Sequence, residues 1–325
     1  MKSIAKLAAY AVLVPSLVSG QVIFNFVYED VENNSGIGFD NSASGAERRQ
    51  ALQDVGNYIG GLLDHNATIT YTIKASQTDG NGSLASAGSS YGLLKGTNTI
   101  RGSNMALAIQ GLSSNTTRGY MTVDFGFAWN FSEAAASDFE YDFRSVALHE
   151  MTHSLGMTSL IDEVTGEGSN VVSGGNYYGQ TYSTYDSFLV DGEGNPLIMD
   201  SAEFDTARFT DGADSDDVLD IFTSENLFFN GPNAVAVYGA PVPLFSPGTY
   251  LGGSSTSHVD SDDPTLDEDP MVHHIGFGES KREYTALDLA IIEDLGYSLV
   301  AVPEPASSGL LTLGLAVFFC GRRRD

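Results

Sequence analysis

The stretch His149-Glu150-Met151-Thr152-His153-Ser154-Leu155-Gly156-Met157 decides how the rest of this chain is read. In a helix, residues four apart lie on one face, so the imidazoles of His149 and His153 can reach a single cation. Glu150 then sits beside the open coordination position, which is the arrangement used in metal-assisted hydrolysis. Gly156 is placed to end the helix in a left-handed turn and lead the chain away from the metal. Upstream, Ser137-Asp138-Phe139-Glu140 has the form of a capping box, and Phe139, Phe143, Val146 and Ala147 supply an inward face leading to His149.

Before this helix, Gln21 to Tyr28 alternates apolar and polar residues around Val22, Phe24 and Phe26, as a strand does. From Ser44 to Leu63 the positions Ala51, Val55, Tyr58, Ile59 and Leu62 recur at helical spacing, and Ala67 to Ala75 alternates again through Ile69, Tyr71 and Ile73. Thr78 to Asn98 is rich in Gly and Ser and reads as a surface loop without chemistry. Gly119 to Phe131 returns to strand character, with Met121, Val123, Phe125 and Phe127 on one face. It is read either as a strand that pairs with an extended peptide or as an ordinary edge strand.

The chain has 325 residues, 42% hydrophobic and 10% aromatic, ample for a buried core. A formal charge of -27 excludes nucleic acid as a partner, because no basic stripe is available to neutralise phosphates, and it disfavours anionic membrane surfaces. The acidity is read as solubility in a salty or calcium-bearing medium. Residues 1–20 join Lys2 and Lys6 to an apolar run and small residues before Gln21, the layout of a secretory signal peptide. At the other end, Val302-Pro303-Glu304-Pro305 precedes an apolar run from Gly309 to Cys320 and then Arg322-Arg323-Arg324. That run is shorter than the ~20 residues of a stable span.

Residues 301–325 resemble the PEP-CTERM sorting tail of Gram-negative bacteria, which an exosortase removes at the cell surface; the other reading is a plain C-terminal anchor. The resemblance implies a secreted or cell-surface protein, partnered by exosortase-type sorting machinery and touching the membrane only transiently through its tail. Cys320 is the one cysteine and leaves with the tail, so the exported body carries no disulfide and no thiolate ligand.

A catalytic zinc takes three protein ligands and keeps one position open. The helix supplies two, and the other histidines are His65, His258, His273 and His274. His65 closes the first helix and suits a capping or solvent role, whereas His258 lies in the flexible approach Gly252 to Asp260. Glu163 and Glu167 stand in a Gly-rich turn region without helical period. Further on come Asp269-Pro270-Met271 and an amphipathic helix from Tyr284 to Tyr297, where Tyr284 is read either as an oxyanion donor or as packing. The acidic pieces Asp211 to Asp217 and Asp260 to Asp269 are candidates for structural calcium or simply a solvated insertion. Neither completes an EF-hand loop.

Taken together, the helix motif to Gly156, Asn230-Gly-Pro-Asn-Ala234, Ser254-Ser-Thr-Ser-His258, Met271 and the terminal helix resemble a leishmanolysin-type metzincin over residues 138–297. Ser159 occupies the place of the third histidine in the short metzincin motif, and the resemblance moves that ligand far downstream. It implies an α+β zinc peptidase in which a sheet-and-helix subdomain (21–157) and an irregular C-terminal subdomain (158–300) flank an active-site cleft. The implied zinc ligands are His149, His153 and His258, with His273 or His274 as alternatives to the last. Glu150 is the implied base, Met271 lies in a methionine turn beneath the metal, and the implied substrate is a protein or peptide. Two other readings are a non-enzymatic surface or matrix protein that retains the fold and a zinc hydrolase acting on a non-peptide bond.

Overall fold

The computed structural model describes residues 20–301, apart from 75, 77–79, 81, 94–99, 113–117, 174–175, 202 and 210–217. The expected signal peptide up to residue 19, the tail from residue 302 and Asp211 to Asp217 therefore lie outside the described residues. The rest is α+β, with helices packed against several small sheets.

Strand β1 (Val22–Tyr28), helix α1 (Gly45–Leu62) and strand β2 (Ala67–Ile73) follow the periodicities of the sequence. β1 and β2 pair in parallel, and α1 crosses between them with Ala51, Leu52, Val55 and Ile59 turned inward. Gly60 lets the helix approach the strand, since a Cβ there would collide with the Val22 carbonyl oxygen.

Two expectations fail here. Within the supposed loop, Ala85–Ser89 forms strand β3, and Arg118–Val123 forms strand β4. The sheet order is β1-β2-β4-β3, with β4 parallel to β2 and β3 antiparallel to β4. β4 therefore has partners on both sides and offers no free edge to a peptide; β3 is the edge strand. Local propensity hid β3, because Ala, Ser and Gly are poor strand formers and the segment is held by its ladder to β4.

Helix α2 (Phe143–Leu155) carries the histidines. Its N-cap is Asp142, whose carboxylate accepts the Arg144 and Ser145 N–H groups, and the Ser137–Glu140 segment is a separate turn closed by the Ser137 hydroxyl on Glu140 at 2.7 Å. Phe139 accordingly points outward, 80% exposed, and is not part of the inward face. Met151 and Leu155 are fully buried, and polar groups pin the helix as well: Ser154 meets the Tyr71 hydroxyl at 2.8 Å, and the Tyr297 hydroxyl donates to the Leu155 carbonyl at 2.8 Å.

The C-terminal half adds a three-stranded sheet of Leu189–Asp191, Leu227–Phe229 and Val242–Pro243, and closes with helix α3 (Ala286–Asp294), started by a Thr285/Asp288 capping box. Asp294 reaches back to cap Pro232–Tyr238, accepting the Asn233 and Ala234 N–H groups at 2.9 Å. One apolar core runs through both halves, joining Leu148 and Leu155 to Met271, Val272 and Ile291. Among the described residues no helix is long and apolar enough to cross a membrane.

Candidate metal centre

α2 ends at Gly156, whose φ of 120° is one that side-chain-bearing residues rarely adopt. The turn it makes brings the Met157 carbonyl back onto His153 Nδ1 at 2.7 Å. His149 Nδ1 meets the Pro270 carbonyl at 2.8 Å, and His258 Nδ1 meets the Ser254 carbonyl at 2.6 Å. A carbonyl oxygen only accepts, so each Nδ1 carries the proton, and in each neutral ring Nε2 is left with its lone pair.

Those three Nε2 atoms face one another. They are 3.1 Å apart between His153 and His149, 3.1 Å between His153 and His258, and 3.0 Å between His258 and His149. Burial disfavours the charged form of all three rings and takes His149 down to about 3, so protonation does not relieve the repulsion near neutral pH. Zinc–nitrogen bonds of about 2.0–2.1 Å place three nitrogens of one coordination sphere roughly 3.0–3.4 Å apart. The donor set and its spacing thus fit a divalent cation of the zinc type, and the backbone carbonyls on Nδ1 are the outer partners such a ligand set uses.

His258 is 3% exposed and reaches this point from a tightly held loop. Ser159, standing where the short motif has its third histidine, donates its N–H to the Ser257 hydroxyl at 3.1 Å. Thr256 takes a φ of 72°, costly for a β-branched residue, and its carbonyl is held by the Tyr185 hydroxyl at 3.0 Å. Met271 is fully buried; its N–H goes to Asp269 at 2.8 Å and its carbonyl accepts the Val259 N–H at 3.1 Å. The turn through Met271 therefore presents the Pro270 carbonyl to His149 and braces the residue after His258.

Glu150 is 8% exposed in the same cleft, and burial raises its carboxyl to about 8 against the opposing bond from the Ala87 N–H of β3. The cleft, about 800 Å³, runs along α2 between residues 85–87 of the edge strand and the segments bearing His258 and His273.

The remaining candidates lie elsewhere. His273 stacks on Phe245 at 3.6 Å and His274 packs against it, both on the cleft wall and outside the triad. His65 Nε2 accepts the Ser298 N–H at 2.9 Å. The Tyr284 hydroxyl is buried against Thr152 Oγ1 at 2.6 Å, so it packs the helix and is not placed to donate to substrate. Among the described residues the three histidines are the one group of three or more His, Cys, Asp or Glu whose ligand atoms converge. Asp263 and Asp269, in the acidic stretch, instead accept protein donors from Thr265, Met271 and Thr285. The Ala87 N–H and the three carbonyls on the rings escape sequence reading because they are backbone groups; Lys281, also in the cleft wall, carries no motif that singles it out.

The PEP-CTERM protein-sorting motif matches residues 301–324. It marks the chain for export to the bacterial cell surface or beyond and for recognition by exosortase sorting machinery. No curated protein and no solved structure matches the chain.

Proposed function

We propose that this is an exported zinc-dependent endopeptidase of metzincin type, acting outside a Gram-negative cell. The observation that carries the reading is the convergence of three Nδ1-anchored imidazoles in a cleft that Glu150 also lines. His149, His153 and His258 would hold the metal, and a metal there supplies Lewis acidity and lowers the pKa of water.

The chain's own groups do the rest. Glu150 takes a proton from the attacking water and passes it to the leaving amine; a neighbouring cation favours the ionised carboxylate, which keeps the base form available near neutral pH. The Ala87 N–H orients that carboxyl. β3, as the sheet's edge strand along the cleft, is the place where an extended peptide can lie beside the triad. Purified Glu150→Gln protein should keep its metal and lose about 10²- to 10⁴-fold in casein hydrolysis; undiminished hydrolysis would contradict the assignment.

A further inference from the structure

Lys281 is a buried cation without an anion. It is 8% exposed, and its backbone N–H donates to the Ser145 hydroxyl at 2.6 Å, one turn before His149 on the metal helix. Its ammonium donates to the Asp267 carbonyl oxygen. Among the described residues no carboxylate lies within ion-pair distance of it, in a chain with 42 acidic residues. Arg282, the next residue, has the buried Asp142 carboxylate at 2.6 Å. The ammonium's hydrogen-bond partner is a neutral carbonyl, so an anion reaching it would gain a charge-assisted bond that the protein itself does not supply.

The surroundings point the same way. Lys281 is the one Lys or Arg among the described cleft-lining residues, and its bond to Ser145 places it beside α2 on the N-terminal side of His149. His273, on the same wall, is fixed face to face with Phe245 at 3.6 Å, and its Nδ1 is buried without a hydrogen-bond partner. Thr158, Ser159 and Glu163, which follow His153 in the chain, line the cleft as well. Lys281 is thus the cationic side chain of a lining whose carboxylates are Glu150 and Glu163, with Asp262 acting on His273 from outside it.

We propose that Lys281, with His273 in the same cleft lining, forms a carboxylate-binding subsite next to His149, so that the protein selects peptides carrying an acidic group on that side of the bond to be cut. This rests on the peptidase reading for the cleavage but not for the binding. The carboxylate comes either from an Asp or Glu side chain or from the peptide's own C-terminus; both present the same anion to an ammonium.

The test is competition binding to full-length, zinc-loaded Glu150→Gln protein at physiological salt, where long-range repulsion from the acidic surface is screened. The probes are short peptides in pairs that differ only by Glu or Gln at one position, scanned along the chain and made as free acids and as amides. A Glu member at one position, or the free acid over the amide, should bind roughly tenfold tighter, and Lys281→Met should bring that ratio to about one. Equal binding of every pair, no measurable binding, or a preference that survives Lys281→Met overturns the subsite. If Lys281→Met does not fold, His273→Gln takes its place and should reduce the ratio, while the wild-type pairs remain decisive alone. Selective binding without cleavage by wild type would retain the subsite and refute the peptidase; equal cleavage of Glu and Gln members would do the reverse.

Discussion

His153 and His258, 105 residues apart in the chain, bring their Nε2 atoms within 3.1 Å of each other. Three such nitrogens with lone pairs converging are strained in the absence of a cation, so metal binding and stability are linked. Removing metal with a chelator should lower the melting temperature, and zinc restored at a hundred times its Kd should return about 2.7 kcal/mol of stability. Thermal scans at several zinc concentrations check this; a melting temperature indifferent to zinc and chelator counts against the site.

Asp142 joins the start of the metal helix to the C-terminal half. Its fully buried carboxylate caps α2 and pairs with Arg282, which in turn donates to the Glu133 and Ala134 carbonyls. Asp142→Ala should remove the cap and leave a partly buried guanidinium without its anion, a loss of about 3 kcal/mol in urea unfolding. A change below about 0.5 kcal/mol would mean that the pair does not hold the two halves together.

Asp186 gives the protein a pH signature. It accepts the Leu160 N–H at 3.0 Å and the Ser183 N–H at 2.7 Å, tying the exit from the metal helix to the end of strand Asn176–Ser183, yet burial raises its carboxyl to about 6. The folded state therefore holds this proton more tightly than the unfolded chain, whose Asp titrates near 3.9. Its contribution is full below pH ~4 and is lost as the pH rises toward ~6, so it opposes stability above that window. Asp186→Asn should remove one proton's worth of slope from the stability profile between pH 4 and 6, as followed by urea unfolding at stepped pH. An unchanged slope would show that Asp186 does not titrate there.

Local pattern made much of this molecule legible. β1, α1 and β2 repeat apolar residues at strand or helix spacing, and α2 declares both the face that carries His149 and His153 and its Gly156 stop. What stayed hidden depends on tertiary partners. The Ser137–Glu140 pattern satisfies a capping box wherever it stands, and only the chain's path through Tyr141 makes Asp142 the cap. β3 has strand character because β4 lies beside it. The groups that fix the three imidazoles are the carbonyls of Met157, Ser254 and Pro270, and a carbonyl has no sequence identity. Ser159 is the instructive case: it marked the absence of a nearby third ligand, and in the folded chain its N–H holds the loop that delivers His258.

Metal content and hydrolysis of a mixed peptide library by wild type, His258→Ala and His273→Ala test the central claim most directly. Wild type and His273→Ala should each hold one equivalent of zinc and cleave peptides, while His258→Ala should bind zinc at least 10²-fold more weakly and show no turnover. Full zinc content and activity in His258→Ala, or loss of zinc in His273→Ala alone, would contradict a centre built from His149, His153 and His258.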